Sequence, residues 1–263
     1  MVDPSVYDRE YFLSHCEGYN EFQQGTISSR LRKAANCLSG SRSLRILDVG
    51  CGRGELVQYL AKMGHSCDGI DYSKDAVEIA EKSARENLSG EEVRNCCFHL
   101  ANAERMDFDD DTFDVGFMLD VVEHLHPMEL ERALREVRRV LKPGGRLIIH
   151  TVPNKWVIKP ARLAMRVLRI PSEEVRHVNE QSVFSLKKGI LPFFTGRIRI
   201  ERERGFWSFW VKSSNRTSSR IIISSLRALD FLLDNRIVSP LIDLPPFVFY
   251  FGTDIWGDLT VRK

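Results

Sequence analysis

Between residues 44 and 151 short apolar runs alternate with amphipathic stretches, the pattern of a parallel sheet covered by helices. Residues 44–49 form a compact apolar run that ends in a glycine cluster, and the spacing predicts a strand. Leu56, Tyr59 and Leu60 then fall on one face of a helix over residues 55–63. A second strand is expected at 65–70 and a helix at 73–87, with Ser73 as its N-cap and Val77, Ile79 and Ala80 on its apolar side. Residues 94–100 and 113–119 read as the third and fourth strands. The helix at 128–141 is closed by Lys142-Pro143-Gly144-Gly145, and residues 146–151 read as the fifth strand.

Past Pro153 the rhythm changes. Residues 154–179 are basic and partly helical, 180–194 return to a helix, and 196–204 alternate isoleucine with charge at the period of a strand. Residues 207–246 mix polar turns with apolar helical stretches, and 254–262 supply a final strand. No internal repeat or low-complexity tract interrupts this. The organisation expected is one α/β domain over 1–263, with a helical N-terminal cap at 1–40 and a ligand-binding core at 41–153. Insertions at 154–179 and 207–247 act as lids, and 180–206 and 248–263 complete the core.

Composition narrows the class. A chain of 263 residues with 43% hydrophobic and 28% charged side chains can bury a large core, which excludes disorder and fibrous repeats. The 38 basic and 36 acidic residues nearly cancel, which speaks against a protein that coats nucleic acid. No uncharged apolar run is long enough to span a membrane. The start, MVDPSVYDRE, carries acids where a signal peptide carries basic and apolar residues, so a cytoplasmic location is expected. Cys16, Cys37, Cys51, Cys67, Cys96 and Cys97 show no metal-ligand spacing; they are expected as reduced thiols, and no metal is expected.

The informative run is ILDVGCGRGE, from Ile46. Its glycines permit positive φ in a sharp turn and strip the Cβ so that a ligand can lie on bare backbone. A dinucleotide fingerprint is GxGxxG, aimed at pyrophosphate. Here the spacing is GxGxG, which suits a nucleoside without phosphates. Asp48, just ahead of the turn, is placed to accept from the loop or from a cationic ligand group. Asp71, at the end of the second strand, sits at the distance where an acid accepts both ribose hydroxyls; with Ser73 and Asp75 following, it also reads as a helix-capping residue. Tyr72 beside it can stack on, or edge against, a base.

ILDVGCGRGE, GIDYS, ANAERMDFDDDTFDVGFMLDVVEHL and EVRRVLKPGGRLIIHTVPN together resemble class I S-adenosylmethionine-dependent methyltransferases. The likeness is to the broad bacterial group that includes quinone-pathway, sugar and natural-product methyltransferases, and it covers residues 44–153; YDREYF and GTDIWGDLTVRK add to it. It implies a Rossmann-like, doubly wound, mostly parallel seven-stranded sheet with an antiparallel last strand, and S-adenosyl-L-methionine as cofactor. Gly50, Cys51 and Gly52 match the loop under the methionine part, Asp48 the acid near its amino group and Asp71 the ribose acceptor. Where GDAE-type relatives place an aspartate on the adenine amino group this chain has Asn102, which keeps an acceptor oxygen but lacks the charge, with the Ala103 backbone alongside. Asp120 matches the position that closes against the methionine end. The aromatics Tyr7, Tyr11, Phe12 and Tyr19 match a lid segment and also read as plain helix packing.

Methyl transfer is an in-line displacement in which a protein positions reactants and excludes water. A base is needed only where the nucleophile is a hydroxyl. His124, in DVVEHL, is the candidate base, or a residue of the helix entry. Glu123 reads as structural or as an acceptor on the cofactor side, and His177 as a surface histidine before one that enters the substrate pocket. Arg162, Arg166 and Arg169 share a helix face, either a solvated one or one that meets anionic membrane or a phosphorylated substrate; the aromatic cluster at 206–210 and the apolar run at 247–251 add surface. The expected acceptor is an oxygen, before nitrogen or carbon, of a small molecule, glycan or lipid-linked compound. A nicotinamide oxidoreductase is opposed by GxGxG and by the lack of a Tyr-x-x-x-Lys pair. A nucleic-acid methyltransferase would show Asn/Asp-Pro-Pro-aromatic or Pro-Cys motifs. A binding module without transfer activity is favoured only by Asn102.

Overall fold

The computed structural model describes residues 7–16, 18–40, 43–152, 154–167, 177–203, 220–235, 238–244, 247–248 and 252–262. Seven strands form one sheet: β1 (Arg45–Val49), β2 (Ser66–Asp71), β3 (Cys96–Leu100), β4 (Phe113–Leu119), β5 (Leu141–Thr151), β6 (Phe194–Glu201) and β7 (Asp254–Val261). Their order is β3-β2-β1-β4-β5-β7-β6. β7 runs antiparallel to β5 and β6, and the remaining pairs are parallel.

The central strands are apolar almost throughout because helices cover both faces. Along β1, Leu47 and Val49 enter one core and Ile46 the other, the alternation a pleated strand imposes. On the Ile46 side, α1 (Tyr19–Gln23) leads to α2 (Ser29–Asn36), and α3 (Glu55–Lys62) packs beside it through Ala34, Leu38, Leu56 and Leu60. Next come α4 (Lys74–Asn87), capped by the Ser73 hydroxyl as expected, and α5 (Gly90–Arg94). α6 (Pro127–Val140), α7 (Lys155–Val167) and α8 (Val183–Ile190) follow, α6 and α8 covering the Leu47 side with Leu130, Leu134, Leu186 and Ile190. Two further helices lie at Arg220–Leu233 and Val238–Ile242.

Departures from expectation are local. A capping box between Ser89 and Glu92 opens α5, which takes in Arg94, so β3 begins at Cys96 instead of residue 94. β5 begins at Leu141 instead of residue 146: Leu141 pairs with Phe113, the ladder slips, and Arg146 pairs with Val115, so Lys142–Gly145 bulges. The expected helix at 180–194 is shorter, since Ser182 caps it and Phe194 already belongs to β6. All six cysteines are free thiols. The aromatic cluster at 206–210, Arg169 and residues 249–251 lie outside the described residues. No helix among the described residues is long and apolar enough to cross a membrane.

The order of strands positions the site. From β1 the chain winds outward to β3, then returns to place β4 on the other side of β1. A crevice opens between their carboxyl ends, where open α/β sheets bind ligands.

Candidate active site

Two loops meet in that crevice, Gly50–Gly54 after β1 and Asp120–His124 after β4. Gly50 has φ 75°, and a Cβ there would lie 2.5 Å from Val121 Cγ2. Gly52 has φ 52°, and its N–H donates to Asp71 Oδ2 at 3.0 Å. At Gly50 a side chain is excluded for steric and conformational reasons at once, and at Gly52 by the backbone conformation. Behind the turn Arg53 is fully buried: it donates to the Phe12 carbonyl at 2.9 Å, pairs with Glu55, and lies 5.0 Å from the centre of the Phe22 ring. The N-terminal segment is latched onto the loop through that guanidinium.

One cavity of about 300 Å³ runs along both loops. Asp48, Gly50, Cys51, Gly52, Asp71 and Tyr72 line one end of it. Ala103, Asp120 and His124 line it further on. Asn102 is not among the residues lining the cavity: its side chain is exposed, and its oxygen accepts the Glu104 N–H at 2.9 Å in a local turn. Of the two readings of His177, surface or pocket, the structure has the pocket one. It is half-buried and lines the cavity, its ring 5.1 Å from that of His124.

The first end is acidic. Burial, with Asp71 and Glu55 close by, pushes the Asp48 carboxyl up to about 7. A cation bound there would relieve that cost. Burial also raises Asp71, against the N–H groups of Ser73 and Gly52 that hold its oxygens at 2.9 and 3.0 Å. Both readings of Asp71 are therefore compatible: each oxygen serves the loop with one lone pair and keeps another. The Tyr72 ring meets Tyr7 edge-on at 5.8 Å.

The second end joins the expected Asp120, Glu123 and His124 to Arg30, His150 and Thr151, which the motifs did not single out. Asp120 adopts φ 56°, unusual for a side-chain-bearing residue. Its Oδ1 lies 2.6 Å from His150 Nδ1 and its Oδ2 2.9 Å from Arg30. Burial alone would raise the Asp120 carboxyl, but Arg30 and His150 outweigh it and hold it well below the usual range. Burial would lower His150; the Asp120 carboxylate, with Asp254 3.5 Å from Nε2, brings it up to about 9 instead. Glu123 is buried, accepts the Thr151 hydroxyl at 2.8 Å, and is raised to about 8 by burial and by Asp120. Tyr7 and His124 Nδ1 hydrogen-bond at 2.8 Å. His150 was visible in sequence only as a polar residue inside the apolar strand LIIHT, and Arg30 not at all.

A glycine cradle, an acid that a cation would relieve and an aromatic beside a ribose-placed carboxylate fit a nucleoside with a positively charged tail. Residues 47–149 match the family described as "Methyltransferase domain". An uncharacterized methyltransferase of Bacillus subtilis, YcgJ, is 31% identical over 177 residues, 65% of this chain and 65% of that one. A ubiquinone biosynthesis O-methyltransferase of Alkalilimnicola ehrlichii is 37% identical over 123 residues, 47% of each chain. The chain therefore spans about half to two thirds of the length of these curated relatives. The solved structure of a SAM-dependent methyltransferase from Archaeoglobus fulgidus, 20% identical, superposes over 89% of this chain and 92% of that one with a TM-score of 0.56, which shows a shared fold.

The methyltransferase-domain match over residues 47–149, together with the glycine cradle, supports the class of S-adenosylmethionine-dependent methyltransferases. This chain carries that family's methyltransferase domain, and S-adenosylmethionine is the cofactor its cradle fits.

Proposed function

We propose that the protein transfers a methyl group to a hydroxyl oxygen of a small-molecule acceptor bound at the Glu123–His124–His177 end of the cavity. The bound cofactor supplies a methyl group on a sulfonium, so the leaving group is already made. The chain's own residues do the rest. Asp48 holds the cationic tail, Asp71 the ribose and the Ala103 backbone the adenine, while Gly50 and Gly52 let the tail lie close. Asp120, held by Arg30 and His150, lines the cavity beside His124. Tyr7 and the aromatic segment around it exclude water.

The observation that carries this reading is that His124, oriented by Tyr7 at 2.8 Å, lines the same cavity as the glycine cradle. A proton acceptor at that end serves a hydroxyl; a carbon nucleophile of an already activated acceptor would not need it. α7 exposes Leu163 and Val167 beside Arg166, which supports an acceptor with an apolar or lipid-linked portion. The test is incubation of the protein with isotopically labelled S-adenosylmethionine and acceptor panels of phenols, alcohols, amines and activated carbon acids. Labelled methyl ethers are the expected products. Methylation confined to amines or carbon overturns the oxygen reading, and absence of S-adenosylhomocysteine binding by the folded protein overturns the methyltransferase reading itself.

A further inference from the structure

Glu123, His124 and His177 each present one donor atom, and the three atoms lie within 4.8 Å of one another. Nothing local brings them together. Glu123 and His124 sit on a short turn, Val122–His124, directly after β4, whereas His177 arrives from beyond α7. The chain is pinned there by its backbone: the N–H groups of Val178 and Asn179 both donate to the Glu123 carbonyl at 3.0 Å.

Each donor has the support a metal ligand has. The Thr151 hydroxyl donates to Glu123 Oε2 at 2.8 Å and fixes the carboxylate. Tyr7 lies 2.8 Å from His124 Nδ1; when that nitrogen donates its proton to the hydroxyl oxygen, Nε2 carries the lone pair. His177 Nδ1 is buried with no hydrogen-bond partner among the described residues. A buried ring nitrogen left so costs free energy that a ligated cation would return.

We propose that Glu123, His124 and His177 form a site for one divalent transition-metal ion that binds the acceptor oxygen. Two imidazoles and one carboxylate suit zinc, iron(II) or manganese(II); magnesium and calcium favour all-oxygen sets. Three protein ligands leave a coordination position open for the substrate. The proposal rests on the oxygen-methyltransferase reading and refines it: His124 becomes a ligand, and the ion takes over from the imidazole the activation of the hydroxyl. Coordination acidifies the acceptor hydroxyl. Its O–H bond breaks with the proton passing to solvent water, the oxygen lone pair forms the new O–CH3 bond, and the C–S bond breaks with its electrons staying on sulfur as a neutral thioether.

The experiment is calorimetric titration of Zn2+ into chelator-stripped protein, with folding followed by circular dichroism. One ion per chain is expected. His177→Ala and Glu123→Gln should weaken uptake by more than the ~10–100-fold expected of the orienting variants Tyr7→Phe and Thr151→Val. His126→Ala, at an exposed histidine on the neighbouring turn, should change nothing. If His177→Ala does not fold, His177→Asn takes its place. Absence of stoichiometric uptake, or uptake indifferent to both His177 and Glu123, overturns the site. S-adenosylhomocysteine is titrated separately: its binding without zinc uptake sinks the metal site and leaves the methyltransferase reading standing, and zinc uptake without it does the reverse.

Discussion

His150 Nδ1 and Asp120 Oδ1 are 2.6 Å apart at the carboxyl ends of neighbouring parallel strands, one side chain with no exposed surface and the other closing the cavity. Their backbones are joined as well, Asp120 N–H donating to the His150 carbonyl at 3.0 Å. An ion pair is thereby built into the floor of the site, and Trp256 covers the imidazole with ring centres 4.4 Å apart.

That pair makes stability depend on pH. His150 rises from 6.5 in the unfolded chain to about 9, so its stabilisation is complete below about pH 6.5 and is lost as pH climbs through about 9. Asp120 is depressed from 3.8, so its share is present above about pH 4 and lost on acidification. Urea unfolding should show a loss on the order of 2 kcal/mol between pH 6.5 and 9.5. The loss should vanish in His150→Gln; an unchanged slope in that variant would count against the pairing.

Asp48 predicts proton release on ligand binding. Its carboxyl sits at about 7 in the free protein and must ionise to hold an ammonium group. Affinity for S-adenosylhomocysteine should therefore strengthen from pH 6 to pH 7.5, and its calorimetric enthalpy should vary with the ionisation heat of the buffer. Asp48→Asn should flatten both dependences and weaken binding by roughly tenfold or more. Equal pH dependence in the variant would place the titrating group elsewhere.

Gly50→Ala tests the cradle. The new methyl meets Val121 Cγ2 at 2.5 Å and forces an alanine to φ 75°, a conformation worth about 1–2 kcal/mol of strain. Loss of S-adenosylhomocysteine binding and a lower unfolding midpoint are expected. Adding Val121→Ala removes the clash but not the strain, so the double variant should recover part of the stability. A double variant no better than the single one would show that the steric account is wrong.

Asp71→Ala and Asp71→Asn separate the two roles of this acid. Alanine strips acceptors from the Gly52 and Ser73 N–H groups and should destabilise by about 1–3 kcal/mol for each group left buried and unpaired. Asparagine keeps one acceptor oxygen, so it should unfold closer to wild type while still binding S-adenosylhomocysteine more weakly. Differential scanning fluorimetry and calorimetry on the same samples decide it; equal affinity of Asp71→Asn and wild type would leave the carboxylate with the loop alone.

Much of the scaffold was legible because it is periodic. The apolar runs ending at Val49 and Leu119 are buried parallel strands, and the Ser73 cap and GxGxG turn act over a few residues. The departures follow local chemistry: the helix begun by the Ser89–Glu92 capping box takes Arg94 from the expected strand, and the Asn102 oxygen is engaged by the Glu104 N–H of its own loop.

The sequence by itself determined most of the strands and helices, the sharp glycine turn and the places of the acids at 48 and 71 beside it, since these depend on hydrophobic period and backbone conformation, which are properties of short segments. The tertiary structure alone decided that Arg30, Asp120 and His150 form one charged network and that His177 stands against His124. Those relationships join segments far apart in the chain, and their partners are set by strand order and by backbone bonds such as those from Val178 and Asn179 to Glu123, which no local pattern encodes.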